Sequence, residues 1–104
     1  MTTYNIKCGK SAKHNWDIYK ESDELDTVFH LHNLTSPYVI IDVPINELTD
    51  EQILECSILC KNKSKHKHLN RLDVMFTSIS NTKIGKVIGS FIILDERQVK
   101  FIKC

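Results

Sequence analysis

Between Asp26 and Ile41 the chain carries two short runs rich in β-branched and aromatic residues, Val28 to Leu31 and Tyr38 to Ile41, joined by Asn33-Leu34-Thr35-Ser36-Pro37. Each run has the composition of a buried strand. A parallel crossover needs a much longer connection, so the two runs are expected to pair antiparallel. Polar groups set inside such a pair must be hydrogen-bonded or used. Here they are His30, His32, Ser36 and Tyr38, preceded by the basic loop Gly9-Lys10-Ser11-Ala12-Lys13-His14-Asn15.

The rest of the chain alternates in type. Tyr4 to Cys8 reads as a short strand, and Ser11 is placed to cap a helix from about Ala12 to Glu21. The segment Leu48-Thr49-Asp50-Glu51-Gln52-Ile53 opens a second helix with a Thr cap, a Gln three residues later and a Leu48 to Ile53 hydrophobic staple. Acidic residues in its first turn and Lys61 near its end suit the helix dipole. Ile53, Leu54, Ser57 and Ile58 are expected to form its core stripe, widened by Leu59 and Cys60. Leu72 to Ser78, Val87 to Leu94 and Gln98 to Ile102 read as strands, the last two joined as a hairpin through Asp95-Glu96-Arg97. Two helices among several short strands predict an α+β fold, a mostly antiparallel sheet with both helices packed on it. At 104 residues, with no repeat or linker, a single domain over 1–104 is expected.

Charge is informative through its distribution, because the net charge is only +1. From Glu21 to Glu55 there is no Lys or Arg, and this acidic stretch (21–55) is a candidate face for a basic protein partner. From Cys56 to Leu72 the pattern inverts, with Lys61, Lys63, Lys65, Lys67 and Arg71 unopposed. The longest apolar run, Tyr38 to Ile41, is far too short to cross a bilayer, and the start Met1-Thr2-Thr3-Tyr4 lacks the layout of a secretory leader. A cytoplasmic protein is therefore expected. The four cysteines do not form the dense framework of a small secreted domain.

No enzyme constellation stands out. Gly9-Lys10-Ser11 lacks the upstream glycine of a phosphate-binding loop and reads as a turn opening a helix. Pairing His30 with Cys8 or Ser36 as base and nucleophile leaves no third, orienting group. Cys56 and Cys60 share a helix face, and a zinc site there would need His66 and His68 from the following loop; the plainer expectation is two small core cysteines. If the strand continued through residue 32, His30 and His32 would lie side by side, able to bind metal, contact phosphate or simply hydrogen-bond in a partly exposed sheet. A small metal-dependent enzyme using that pair is one alternative. No cofactor is expected.

Gly9-Lys10-Ser11-Ala12-Lys13-His14-Asn15, Asp26-Thr27-Val28-Phe29-His30, Ser36-Pro37-Tyr38-Val39-Ile40-Ile41, then Phe76-Thr77 and Lys83, taken in order, resemble the NFACT-R domain, the proposed RNA-binding module of the NFACT proteins of ribosome-associated quality control, which also occurs as a small stand-alone protein. Gly9, Lys10, Ala12 and Asn15 match its Gly-Arg/Lys-x-Ala-x-x-Asn pattern. Asp26, Phe29 and His30 match its Asp-x-Trp-Phe-His motif, and Val39, Ile40 and Ile41 match the apolar end of its Gly-Ser-His-Val-Ile segment. Phe76, Thr77 and Lys83 fall where the family shows Tyr-Thr followed by a lysine. The chain departs from the pattern at Val28, where Trp is usual, at Ser36 and Pro37, where Gly-Ser is common, and at Tyr38, where His is common.

The resemblance implies a non-catalytic module that binds RNA, such as tRNA or rRNA, or associates with the ribosome. Lys10 and Lys13 then neutralise phosphates, with Lys63, Lys65, Lys67 and Lys83 widening the footprint. His14, Asn15, His30 and Tyr38 are the expected contacts to backbone and bases.

Overall fold

The computed structural model describes residues 3–104; Met1 and Thr2, which enter the reading of a secretory leader, lie outside the described residues. Among the described residues, seven strands and two α-helices follow in the order β1 (Ile6–Cys8), α1 (Ala12–Glu21), β2 (Thr27–Leu31), β3 (Val39–Ile41), α2 (Asp50–Asn62), β4 (Asp73–Ser78), β5 (Thr82–Ile84), β6 (Phe91–Ile93) and β7 (Lys100–Lys103). Five of the strands form one sheet in the order β1-β3-β2-β4-β7, and β5 and β6 form a separate two-stranded sheet. Every pairing is antiparallel, including β2 with β3, where Phe29 faces Val39 and Thr27 faces Ile41. This is the α+β architecture expected, with both helices packed on an antiparallel sheet.

The helix starts are set locally. Ser11 caps α1, its Oγ accepting from the backbone N–H of His14 at 3.1 Å. Thr49 and Gln52 form the reciprocal capping box of α2, with bonds of 3.1 and 2.9 Å. The buried face of α2, however, is rotated from the expected stripe. Cys56, Ser57 and Cys60 are fully buried, flanked by Ile53 and Leu59, while Leu54 and Ile58 are 47% and 41% exposed. Small side chains let the helix lie close over the large residues of the sheet, and the Ser57 hydroxyl is satisfied by donating to the Ile53 carbonyl at 2.7 Å.

The central strands are buried on both faces, so β2 and β3 read as nearly continuous apolar runs. Phe29, Leu31, Val39, Ile41, Val74 and Phe76 pack under α2. Val28, Tyr38 and Ile40 point the other way and meet Ile18 of α1, Ile79, and the partly buried Tyr19 and Phe91.

The C-terminal third corrects the expected hairpin. β6 pairs with β5 and β7 pairs with β4, so the last two strands are not partners. Asn81 accounts for the divergence. Its Oδ1 accepts from the Asp95 N–H at 2.9 Å, and its Nδ2 donates to the Asp95 carbonyl at 2.8 Å and to Thr77 Oγ1 at 3.0 Å. Asp95 then caps a short 3-10 turn, Glu96–Gln98, that returns the chain to the main sheet. Of the strand expected from Val87 to Leu94, Phe91–Ile93 forms β6. The residues from Val87 to Ser90 are instead a turn, closed by the Ser90 N–H donating to the Val87 carbonyl at 2.9 Å, with Gly89 at φ +85°.

Candidate nucleic-acid interface

One end of α1, the start of β3 and the loop after α2 converge on a groove of about 890 Å³. The loop between β1 and α1 supplies Lys10 on one side, and the β2–β3 connection supplies Asn33 to Pro37. Lys63 and Lys65 come from the loop after α2, and His30 and Met75 lie on the sheet. The turn before β6, with Val87 and Ile88, and Phe91 at the start of β6 close the remaining wall.

The geometry of the loop between β1 and α1 explains two of the motif residues. The Gly9 N–H donates to the Tyr38 carbonyl at 2.9 Å, and the Tyr38 N–H donates to Oδ1 of the buried Asn15 at 3.1 Å. A Cβ on Gly9 would lie 1.7 Å from that Oδ1, so glycine is required by close approach. Gly9 and Asn15 therefore tie the start of α1 to the start of β3. His14 also has an internal task, since its Nδ1 accepts from the Lys10 N–H at 2.9 Å. Lys10 is left with its backbone fixed and its ammonium group exposed.

His30 is half-buried. Its Nδ1 donates to the Leu31 carbonyl at 2.7 Å, and its ring stands edge-on to Tyr38 and Phe91 at 5.7 and 5.8 Å. Burial lowers its pKa below the usual imidazole value, partly offset by the backbone at Leu31 and Ser36, so at neutral pH it is an uncharged ring. His32 does not join it. β2 ends at Leu31, and the His32 ring stands edge-on to Phe101 at 5.0 Å instead.

Tyr38 corrects another expectation. It was expected to contact nucleic acid, but its side chain is fully buried, ringed by edge contacts from Tyr19, His30 and Phe91. Its hydroxyl is the one buried side-chain polar atom without a hydrogen-bond partner among the described residues, and burial raises its pKa well above the usual phenol value.

Six of the ten candidate residues thus border the groove: Lys10, Asn15, His30, Tyr38, Lys63 and Lys65. Lys13, Lys67 and Lys83 are exposed outside its lining, and His14 lies behind the cap. The sequence reading missed Asn33 and the Val87–Phe91 wall. Gly85, Gly89 and Ser90 around Val87 and Ile88 were a turn signal that its apolar residues masked.

The other constellations do not assemble. Ser36 Oγ accepts from the Leu31 N–H at 3.0 Å, donates to the Pro37 carbonyl at 3.1 Å and lies 3.6 Å from Cys60 Sγ. Burial pushes the thiols of Cys56 and Cys60 up to about 12 and about 11, the state of core groups and not of nucleophiles. No group of three or more His, Cys, Asp or Glu is placed to hold a metal ion among the described residues. At the far end of β3, Glu21, Asp23, Asp26 and Asp42 gather around Lys7 in a shallow depression. Burial raises the Asp26 carboxyl, while the Asn5 N–H holds Asp42 low. No helix among the described residues is long and apolar enough to cross a membrane.

No family model matches the chain. It is 29% identical over 85 residues to coiled-coil domain-containing protein 25 of Danio rerio, an alignment covering 77% of this chain and 41% of that protein. Its fold is similar to the C-terminal part of the fibronectin/fibrinogen-binding protein of Streptococcus suis, with a TM-score of 0.84 at 19% identity. That match covers 97% of this chain and 40% of the other. The chain therefore matches about two fifths of the Danio rerio protein and about two fifths of the solved C-terminal part of the Streptococcus suis protein, and the second likeness concerns the fold alone.

Proposed function

We propose that this chain is a non-catalytic RNA-binding module of the NFACT-R kind, acting on tRNA or rRNA or on the ribosome. The observation that carries the proposal is the groove, where Lys10, Lys63 and Lys65, from loops distant in sequence, line one surface with the His30 ring. Lysines neutralise phosphates, and a neutral ring beside them offers a stacking and hydrogen-bonding face to a base. The engaged Ser36 hydroxyl and the buried, protonated thiols support binding without chemistry.

Fluorescence anisotropy with labelled tRNA and an rRNA fragment at low salt tests this. Wild type is expected to bind with an affinity that falls steeply as salt rises. The Lys10→Glu/Lys65→Glu double variant is expected to bind at least about tenfold more weakly, since it reverses two of the cationic contacts. Absence of binding by wild type at low salt refutes the proposal.

A second reading draws on a separate observation. The acidic depression of Glu21, Asp23, Asp26 and Asp42 lies at the opposite end of β3 from the groove, and the Streptococcus suis protein of similar fold is described as a binder of fibronectin and fibrinogen. In that reading the acidic face docks a basic protein partner. Reversing Asp23 and Glu24 to lysine then abolishes partner capture while leaving RNA affinity intact.

A further inference from the structure

Val87 and Ile88, adjacent at the apex of a turn, are 73% and 61% exposed. Both stand mostly in water, and neither belongs to a core cluster. The turn is nonetheless fixed. The Gly85 N–H donates to the Ser90 carbonyl at 3.1 Å, and the Ser90 N–H and Oγ both donate to the Val87 carbonyl, at 2.9 and 2.6 Å. Trp16 Nε1 reaches across from α1 to the Ser90 carbonyl at 2.9 Å. Gly89 sits so near Ala12 that a Cβ there would meet its Cα at 2.7 Å. The turn backbone is thus held against α1, and its two stiff β-branched residues line the groove together with Lys10, Lys63 and Lys65.

We propose that the Val87–Ile88 tip makes the groove selective for RNA with unpaired bases over a perfect duplex. This inference rests on the RNA-binding function proposed above and names the form of RNA. The lysines require a polyanion, and the tip requires a ligand with apolar faces close to its charges. A duplex presents phosphates but keeps its base faces stacked, so it leaves the tip in water. An unpaired stretch offers open base faces that an apolar wedge covers. The tip forms a wall shared with the cationic residues and not the crest of a flat face, which favours a strand lying in the groove over a membrane surface.

The test compares anisotropy titrations of the full chain with a short single-stranded RNA and with the blunt duplex made from that strand and its complement. The same proteins are also sedimented with vesicles of anionic phospholipid. Wild type is expected to prefer the single strand by about tenfold or more. Val87→Ser/Ile88→Ser is expected to remove most of that preference while leaving duplex affinity and the salt dependence unchanged. Val87→Leu/Ile88→Leu, which keeps the apolar surface, is expected to retain the preference. Equal binding of strand and duplex by wild type overturns the inference and leaves RNA binding standing. A serine variant that loses both ligands equally overturns it in the same way, as does vesicle binding that depends on the tip without any strand preference. No binding of either RNA overturns both the inference and the function beneath it.

Discussion

The two faces of the five-stranded sheet are built on different principles. Under α2 lies a closed core in which Phe29 and Phe76 stack at 4.8 Å, and the fully buried residues of the helix are the small Cys56, Ser57 and Cys60, flanked by Ile53 and Leu59. On the α1 side the core is smaller. It is held together by polar ties through Asn15, Asn81 and the Tyr19–Thr82 hydroxyl pair at 2.7 Å, and it contains the unpartnered Tyr38 hydroxyl. It also opens at the Tyr38 end into the cationic groove. One face carries most of the apolar burial, and the other trades some of it for a fixed arrangement of loops. The candidate interface belongs to the second face.

Truncation should separate them most sharply. Phe29→Ala removes a fully buried ring from the closed core and is expected to cost about 3–5 kcal/mol, read from urea unfolding. Ile18→Ala, in the smaller core, is expected near the lower end of the range for such changes, about 2 kcal/mol, because the open side can relax. Equal losses at the two sites would erase the distinction.

Alkaline pH addresses the faces in turn. Cys56 and Cys60 under α2, and Tyr38 under α1, all have pKa values raised by burial, so the folded state keeps protons that the unfolded chain releases. Their stabilisation is complete below the ordinary values of 9.0 for the thiols and 10.0 for the phenol, and it is lost as pH rises from there toward the folded values. The loss from Cys60 alone is expected to be on the order of 2 kcal/mol. In unfolding free energies measured across this range, Cys60→Ala should flatten the part that begins near the thiol value, and Tyr38→Phe the part that begins near the phenol value.

The smallest effect is also the least intuitive. Tyr38→Phe deletes a buried hydroxyl that has no partner, and it is expected to raise stability at neutral pH by about 1 kcal/mol. A loss of that size in the same urea experiment would mean that the hydroxyl is satisfied.

Legibility in the sequence follows the same division. The capping box of α2, the Ser11 cap and the antiparallel pairing of β2 with β3 are set by residues a few positions apart, and all three were readable. The exposure of Leu54 and Ile58 was not, because hydrophobicity alone puts both in the core stripe beside Ser57 and Cys60, whereas close helix–sheet contact is made by the small residues Cys56, Ser57 and Cys60. The separation of β6 from β7 depends on Asn81 bonding to Asp95 and Thr77, a network that leaves no local pattern. In the groove, the lysines were recognisable as a class, and His30 as a motif residue. Their meeting with Val87 and Ile88 depends on a clamp between residues as far apart as Trp16 and Ser90. Gly9 and Asn15 belonged to the matched motif, and their place at the Tyr38 backbone gives them a structural reason to be there.

The central claim is that the open face is an RNA-binding surface assembled from Lys10, Lys63 and Lys65. The most direct measurement is the affinity of wild type for labelled tRNA and rRNA across a salt series, beside the Lys10→Glu/Lys65→Glu variant with its fold verified by circular dichroism. The account predicts salt-sensitive binding by wild type and at least about tenfold weaker binding by the variant. Wild type that binds no RNA at low salt, or a folded variant that binds as tightly as wild type, would contradict it.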